Sequence, residues 1–209
     1  MGLQLTPTYL SGCTVQSLHH NYLITEWMKL NKYQWAALAA ALLTPTLLFA
    51  ATSIGKKKSN TKTALQNLKA FLLMIQYAEG TIGLNAYRML YGGSLFDDFS
   101  KHPNIAITKW GITSTGSGAY GFLYRTWAEM QTALQLPDFG PASQDKGAIE
   151  LIRRKGALPD VLEGRIVPAI DKCKKIWASF PGAGYGQSEK PLVSLLQFYL
   201  KAGGQLITA

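Results

Sequence analysis

Residues 65–81 read LQNLKAFLLMIQYAEGT, and the reading of this stretch decides the fold class. Leu65, Leu68, Leu72 and Ile75 recur at steps of three and four, which marks one face of an amphipathic helix. The next step of four lands on Glu79, so a carboxylate stands where the pattern calls for another core side chain. Gly80 follows as a helix stop. Burial raises a carboxyl pKa, and the negative end of a helix macrodipole pushes it the same way. A carboxylic acid that stays protonated near neutral pH is what glycoside cleavage needs as its general acid. The competing reading leaves Glu79 in solvent at a frayed helix end.

Downstream of Gly80 the chain turns often. Gly92 and Gly93 lie between Tyr91 and Leu95 and suggest tight turns, Leu84–Tyr91 could be short strands or a helical turn, and 105–110 alternates enough for an edge strand. Residues 114–121, STGSGAYG, are small enough for the backbone to approach a bulky ligand. No hydrophobic strand precedes this loop and no GKT or GKS ends it, so a nucleotide-phosphate site has no support. The spacing predicts a helix over 122–134 with Phe122, Trp127, Met130 and Leu134 inward. Ser143 is placed as the cap of the next helix. A continuous apolar face from Ile166 to Phe180 predicts one more helix, with Cys173 in the core. The loop 181–187, PGAGYGQ, displays Tyr185, and a last helix from about Pro191 to Lys201 buries Leu195, Leu196 and Tyr199. Five or so helices with at most a small strand element give a mainly α (α+β) domain of the lysozyme size class.

Upstream, residues 33–55 form 23 uncharged residues between Lys32 and Lys56. As a helix they would span about 34 Å, enough for a bilayer's hydrocarbon core. Tyr33 and Trp35 stand at one end as interface anchors would, and Lys56–Lys58 close the other. Thr44, Pro45 and Thr46 weaken the span. Three readings fit it: a transmembrane anchor, which the sequence favours, a secretory signal cut near Ala50 or Ala51, or a buried helix of the soluble fold. The division is therefore 1–58, a polar segment followed by the anchor or signal-like helix (33–55), and 59–209, the folded domain. Residues 52–64 read as a linker, with the next helix starting at Ser59, Asn60, Thr61 or Thr63.

The net charge is +9, with five lysines against Glu26 in residues 1–58. A moderately basic domain suits an anionic partner. No basic cluster is interleaved with stacking aromatics, so nucleic acid is not expected. Cys13 and Cys173 make no disulfide framework, and the two Cys and three His have no zinc spacing. Neither a metal nor a cofactor is expected.

Six motifs stand in order along the second part: AEGT at 78–81, GGSLFDDFSKHP at 92–103, STGSGAY at 114–120, FGPASQD at 139–145, GALP at 156–159 and IWASFPGAGYGQ at 176–187. On these motifs the region from about Asn67 to Gly204 resembles the phage lambda endolysin family, which are lysozyme-like lytic transglycosylases. The resemblance implies a two-lobed, mainly helical lysozyme-like domain whose cleft binds glycan strands of bacterial peptidoglycan. It implies that Glu79 is the catalytic acid and that the β-1,4 bond between N-acetylmuramic acid and N-acetylglucosamine is cleaved with formation of a 1,6-anhydromuramoyl end. It places Ser114, Thr115 and Gly116 near the sugar; Tyr120 and Tyr185 are either rings stacked on sugar faces or ordinary packing residues, and Gln187 either bonds the glycan or holds the loop. A hydrolytic pair of Glu79 with Asp97 or Asp98 stays open as the alternative, as does a non-catalytic, membrane-anchored wall-binding protein. One departure stands out: the family pattern ends STGAGRYQ, and here Ala119 replaces the Arg and Gly121 the Gln. With residues 33–55 in a membrane, the domain is expected on the periplasmic side of the host inner membrane. A virion-borne or exported soluble enzyme fits as well.

Overall fold

The computed structural model describes residues 58–207, and the proposed membrane segment 33–55 lies outside them. No helix among the described residues is long and apolar enough to cross a membrane. The first helix, α1 (Lys58–Glu79), is the longest. Residues 58–64, the end of the expected linker, already lie in it, so Ser59, Asn60, Thr61 and Thr63, expected as the helix start, stand inside α1. Its second half is buried almost all round: Leu68, Ala70, Phe71, Leu72, Leu73, Met74 and Ile75 all belong to the core. A helix apolar on every face needs neighbours on every face.

Those neighbours come from the C-terminal half. After α2 (Tyr124–Leu134) and α3 (Pro141–Arg154) come α4 (Leu158–Glu163), α5 (Ile166–Cys173) and α6 (Leu192–Lys201). Helix α1 packs on α4 and α6, α4 on α5, and α2 on α3. Tyr77 of α1 stacks on Phe198 of α6, with ring centroids 4.4 Å apart. Asn67 ties α1 to the end of α4 and to the tail: its amide donates to Leu162 O (3.1 Å), and its carbonyl accepts from Gln205 N (2.8 Å).

The small sheet is one hairpin, β1 (Ile107–Lys109) against β2 (Ile112–Ser114), with Thr108 opposite Thr113. It shortens the edge strand expected over 105–110, because the chain reverses at Trp110–Gly111. The segment before it holds a 3-10 turn at Ala86–Arg88. The fold is thus helix-rich with a small sheet.

Two local expectations change. Ser143 sits inside α3 rather than at its cap. Gly140 is the N-cap and Pro141 the first helical residue, where its fixed φ and missing N–H cost nothing. The helix expected to Phe180 ends at Cys173. Its apolar spacing continues in turns, which let the Trp177 indole donate to the Tyr120 carbonyl (3.1 Å) instead of following the helix axis. Cys173 is buried, as expected, and burial pushes its thiol up to about 12.

Candidate active site

Glu79 is the last residue of α1, and a Schellman closure fixes where it points. Gly80 takes a left-handed φ of +72°; its N–H donates to Tyr77 O (3.3 Å) and Thr81 N–H donates to Gln76 O (2.9 Å). Thr81 then donates its hydroxyl to Ala119 O (2.6 Å), which fastens the helix end to the small-residue loop. The AEGT motif is therefore a mechanical unit: the Gly turns the chain, and the Thr ties it to residues 114–121.

Two loops close on the carboxyl from opposite sides of the sequence. From one, Gly121 at φ +61° comes so near that a Cβ there would stand 2.8 Å from Glu79 Oε2. From the other, Ser179 Oγ donates to Glu79 Oε1 (2.5 Å). The frayed, solvent-facing end is excluded by these contacts. Glu79 keeps part of its surface exposed, yet burial by its surroundings is the largest influence on it and raises its pKa; the hydroxyl and backbone of Ser179 pull the other way. The net shift is upward, the direction an acid catalyst requires.

The 114–121 loop is held by tight internal bonding. Ser114 Oγ accepts from Gly116 N (3.0 Å), Thr115 Oγ1 accepts from Tyr124 N (3.1 Å), and Ser117 pairs with Phe122. Gly116 is buried, its carbonyl takes Tyr91 N–H (2.7 Å), and a Cβ on it would lie 3.5 Å from Gly121 O. Gly116 thus packs against Gly121 beside Glu79, whereas the hydroxyls of Ser114 and Thr115 each accept one backbone N–H, the first within the loop and the second from the start of α2. Tyr120 departs from expectation. It is 2% exposed, so it has no ring face to offer a sugar. Its hydroxyl donates to Asp145 Oδ1 (2.5 Å) and accepts from Gln76 Nε2 (3.3 Å), making it an anchor of the loop rather than a stacking group.

The second loop is closed at its base, where Lys190 N donates to Ser179 O (2.8 Å). Inside it the Glu189 carboxylate accepts Gly182 N–H (2.7 Å) and Gly184 N–H (2.8 Å), and those donors hold its pKa down. Tyr185 is 53% exposed, with its hydroxyl on Lys175 O (3.1 Å) and the Lys175 ammonium 5.3 Å from its ring centroid. Gln187 is exposed just beyond Gly186. Asp97 and Asp98 are engaged at the surface, the first with Arg88 (2.8 Å) and the second with Ser100 N–H (2.7 Å) and its hydroxyl.

Three residues escaped the sequence reading. Ser179 is the hydrogen-bonding partner of Glu79, and Gln144 and Asp145 brace the loop from α3. Gln144 Oε1 accepts from Ala119 N (2.8 Å), while its amide donates to Phe139 O (2.7 Å) and Tyr87 O (3.0 Å). It fills the space beside Gly118, where a Cβ would stand 2.2 Å from Gln144 Oε1. Adjacent polar residues buried in one helix turn, Ser143 to Asp145, were the available signal.

Ser179 gives a direct prediction. Ser179→Ala removes a charge-assisted hydrogen bond, so kcat should fall roughly tenfold. The carboxyl, left with only the backbone of residue 179 to hold its charged form, should titrate higher, and the alkaline limb of the rate profile should move to higher pH. A pH series of kcat/KM reads both effects, and an unmoved limb would show that the hydroxyl does not act on Glu79.

The chain's similarity to known proteins spans the residues of this site. The family model described as Endolysin matches residues 69–206. The endolysin of Escherichia phage lambda is 44% identical over 143 residues, covering 65% of this chain and 90% of that protein. The endolysin of Escherichia phage P2 is 43% identical over 155 residues, covering 66% and 94%. In three dimensions the chain is similar to bacteriophage lambda lysozyme complexed with a chitohexasaccharide, with a TM-score of 0.66 at 42% identity over 68% of this chain and 97% of that one.

Proposed function

This chain belongs to the endolysin family, and from that premise we propose that it degrades peptidoglycan as a lytic transglycosylase, cleaving the β-1,4 bond between N-acetylmuramic acid and N-acetylglucosamine. The observation that carries this reading is the setting of Glu79: one carboxyl, its pKa raised, caught between Gly121 and Ser179 where two loops meet. The complex of lambda lysozyme with a chitohexasaccharide supports a glycan as the ligand class.

The chemistry needs a single carboxyl used twice. Neutral Glu79 gives its proton to the glycosidic oxygen as the bond to the anomeric carbon breaks and positive charge develops there. The resulting carboxylate takes the proton of the muramoyl C6 hydroxyl as that oxygen bonds the anomeric carbon. Glu79 ends protonated, no water is consumed, and the new end is a 1,6-anhydro ring. Because the nucleophile is already on the bound sugar, its attack is unimolecular. Ser179 assists the middle of the cycle, since its hydrogen bond stabilises the carboxylate form. The engagement of Asp97 with Arg88 and of Asp98 with Ser100 agrees with a scheme that asks nothing of either.

The departure at 121 has a steric reading. A Cβ at 121 would stand 2.8 Å from Glu79 Oε2 and the φ there is +61°, so a side chain in this position would have to displace the carboxyl and strain the backbone. Mass spectrometry of muropeptides released from purified walls tests the chemistry. Anhydro-ended products, lighter by one water than hydrolysed ones, are expected. Reducing ends would overturn the transglycosylase step and assign the protein to the hydrolytic muramidases.

A further inference from the structure

The tip of the hairpin, Trp110, is 81% exposed and sits at φ +52°, followed by Gly111 at φ +75°. Two successive left-handed residues form the tight turn that hairpins favour, but its first position suits Asn, Asp or Gly, not a bulky ring. A tryptophan there costs stability and recovers little of it by burial. Its visible neighbours are the edge of Tyr91, at 6.1 Å and 86° between rings, and the Lys109 ammonium, 5.8 Å from its centroid. Backbone strain held on an exposed aromatic invites a functional account.

The surroundings hold the ring in place. Lys109 Nζ donates to Gly92 O, and the lysine stem lies where a Cβ on Gly92 would be. Tyr91 OH donates to Lys109 O (3.4 Å), while Tyr91 N–H reaches Gly116 O (2.7 Å) in the loop that contacts Glu79. The tip is thus tied to the catalytic loop by Tyr91 as well as by β2. Four residues at about 3.3 Å each put Trp110 roughly 13 Å along the strand from Ser114. Trp110 therefore stands at the far end of the strand that leads into the loop beside Glu79.

From this geometry we infer that Trp110, steadied by Tyr91 and flanked by Lys109, is an additional glycan subsite that stacks on a sugar distant from the scission point and meets wall carboxylates with its ammonium. The ligand class is an N-acetylated amino-sugar strand bearing acidic substituents, in line with the basic charge of the chain. The inference rests on the glycan-cleaving reading above and adds to it a preference for long strands. The apolar face of a pyranose ring suits an indole, and the carboxylates of the strand suit Lys109.

The test compares the full-length chain with Trp110→Asn and Trp110→Phe on uncrosslinked glycan strands of two lengths. Trp110→Asn should raise KM roughly tenfold on long strands with kcat kept, and should leave both constants unchanged on the shortest strand that is cleaved. Trp110→Phe should restore most of the affinity. The melting temperature of Trp110→Asn should stay level or rise, because Asn accepts the left-handed turn. An unchanged KM on long strands, an equal change on both lengths, or a fall in melting temperature would overturn the subsite. So would lost binding to phosphatidylglycerol vesicles with KM intact, which would assign the ring to a membrane surface. Wild-type protein that cleaves neither strand overturns the parent reading, a result distinct from all of these.

Discussion

Glu79→Gln is expected to lower the wall-clearing rate about a thousandfold or more while leaving glycan binding within a fewfold of the parent. General acid catalysis alone contributes about 10²–10⁴, and this carboxyl serves both proton transfers. The amide keeps the shape and can still accept from Ser179 Oγ, which now bonds Glu79 Oε1. What is lost is the transferable proton. The same substitution should act on stability in the opposite direction. The folded-state pKa of Glu79 is raised, chiefly by burial. Between the unfolded and folded values the native state holds the extra proton, so stability falls as pH rises through that window. A glutamine has no such dependence. The variant should therefore melt at the parent's temperature in acid and above it at neutral pH, a trade of stability against function seen at many strained sites. Clearing by the variant at the parent's rate would remove Glu79 from the mechanism. A variant less stable than the parent at neutral pH would contradict the buried-acid account.

The place of Glu79 at a buried helix end was legible in the sequence because two independent signals met there. The apolar stripe of α1 ran into a carboxylate, and Gly80 marked the helix end one residue later. The helices over 122–134 and 191–201 were legible for the same reason, since their spacing alone sets which face is buried. Less was legible where a polar side chain works on a distant backbone. The resemblance offers Tyr120 as a ligand-stacking ring, and nothing in the loop's small residues shows that it is buried. Only the fold reveals that Asp145, on α3, is near enough to take its hydroxyl. Ser179 lies 100 residues from Glu79, and nothing in a one-dimensional pattern pairs them. The end of α5 at Cys173 was hidden too, because Ile176, Trp177 and Phe180 keep a helical spacing while the chain leaves the helix to deliver Trp177 to the Tyr120 carbonyl.

Asp145 carries the largest expected effect on stability. It is fully buried, and Oδ1 accepts both Tyr120 OH (2.5 Å) and Tyr87 OH (2.9 Å), while Oδ2 is buried without a hydrogen-bond partner. Burial dominates and pushes its pKa up to about 7, against the two tyrosines, which lower it. Asp145→Ala removes the shared acceptor of two buried hydroxyls and leaves a void, which should cost about 2–4 kcal/mol. In a domain of this size that is a fall of about 10 °C in melting temperature. Activity should fall with it, since Tyr120 anchors the loop that carries Gly121 to Glu79. Asp145→Asn separates packing from charge. The folded pKa lies above the ordinary carboxylate value, so the parent binds more protons folded than unfolded between about pH 4 and 7, and it loses stability as pH rises through that interval. The amide cannot lose a proton and still accepts from both tyrosines. Its melting temperature should match the parent's near pH 4, exceed it increasingly up to about pH 7, and keep a constant lead above that. Melting curves of the three proteins across this range decide the matter. A parent whose stability rises from pH 4 to 7 relative to Asp145→Asn would mean that the aspartate is charged in the fold and that its tyrosine partners outweigh burial.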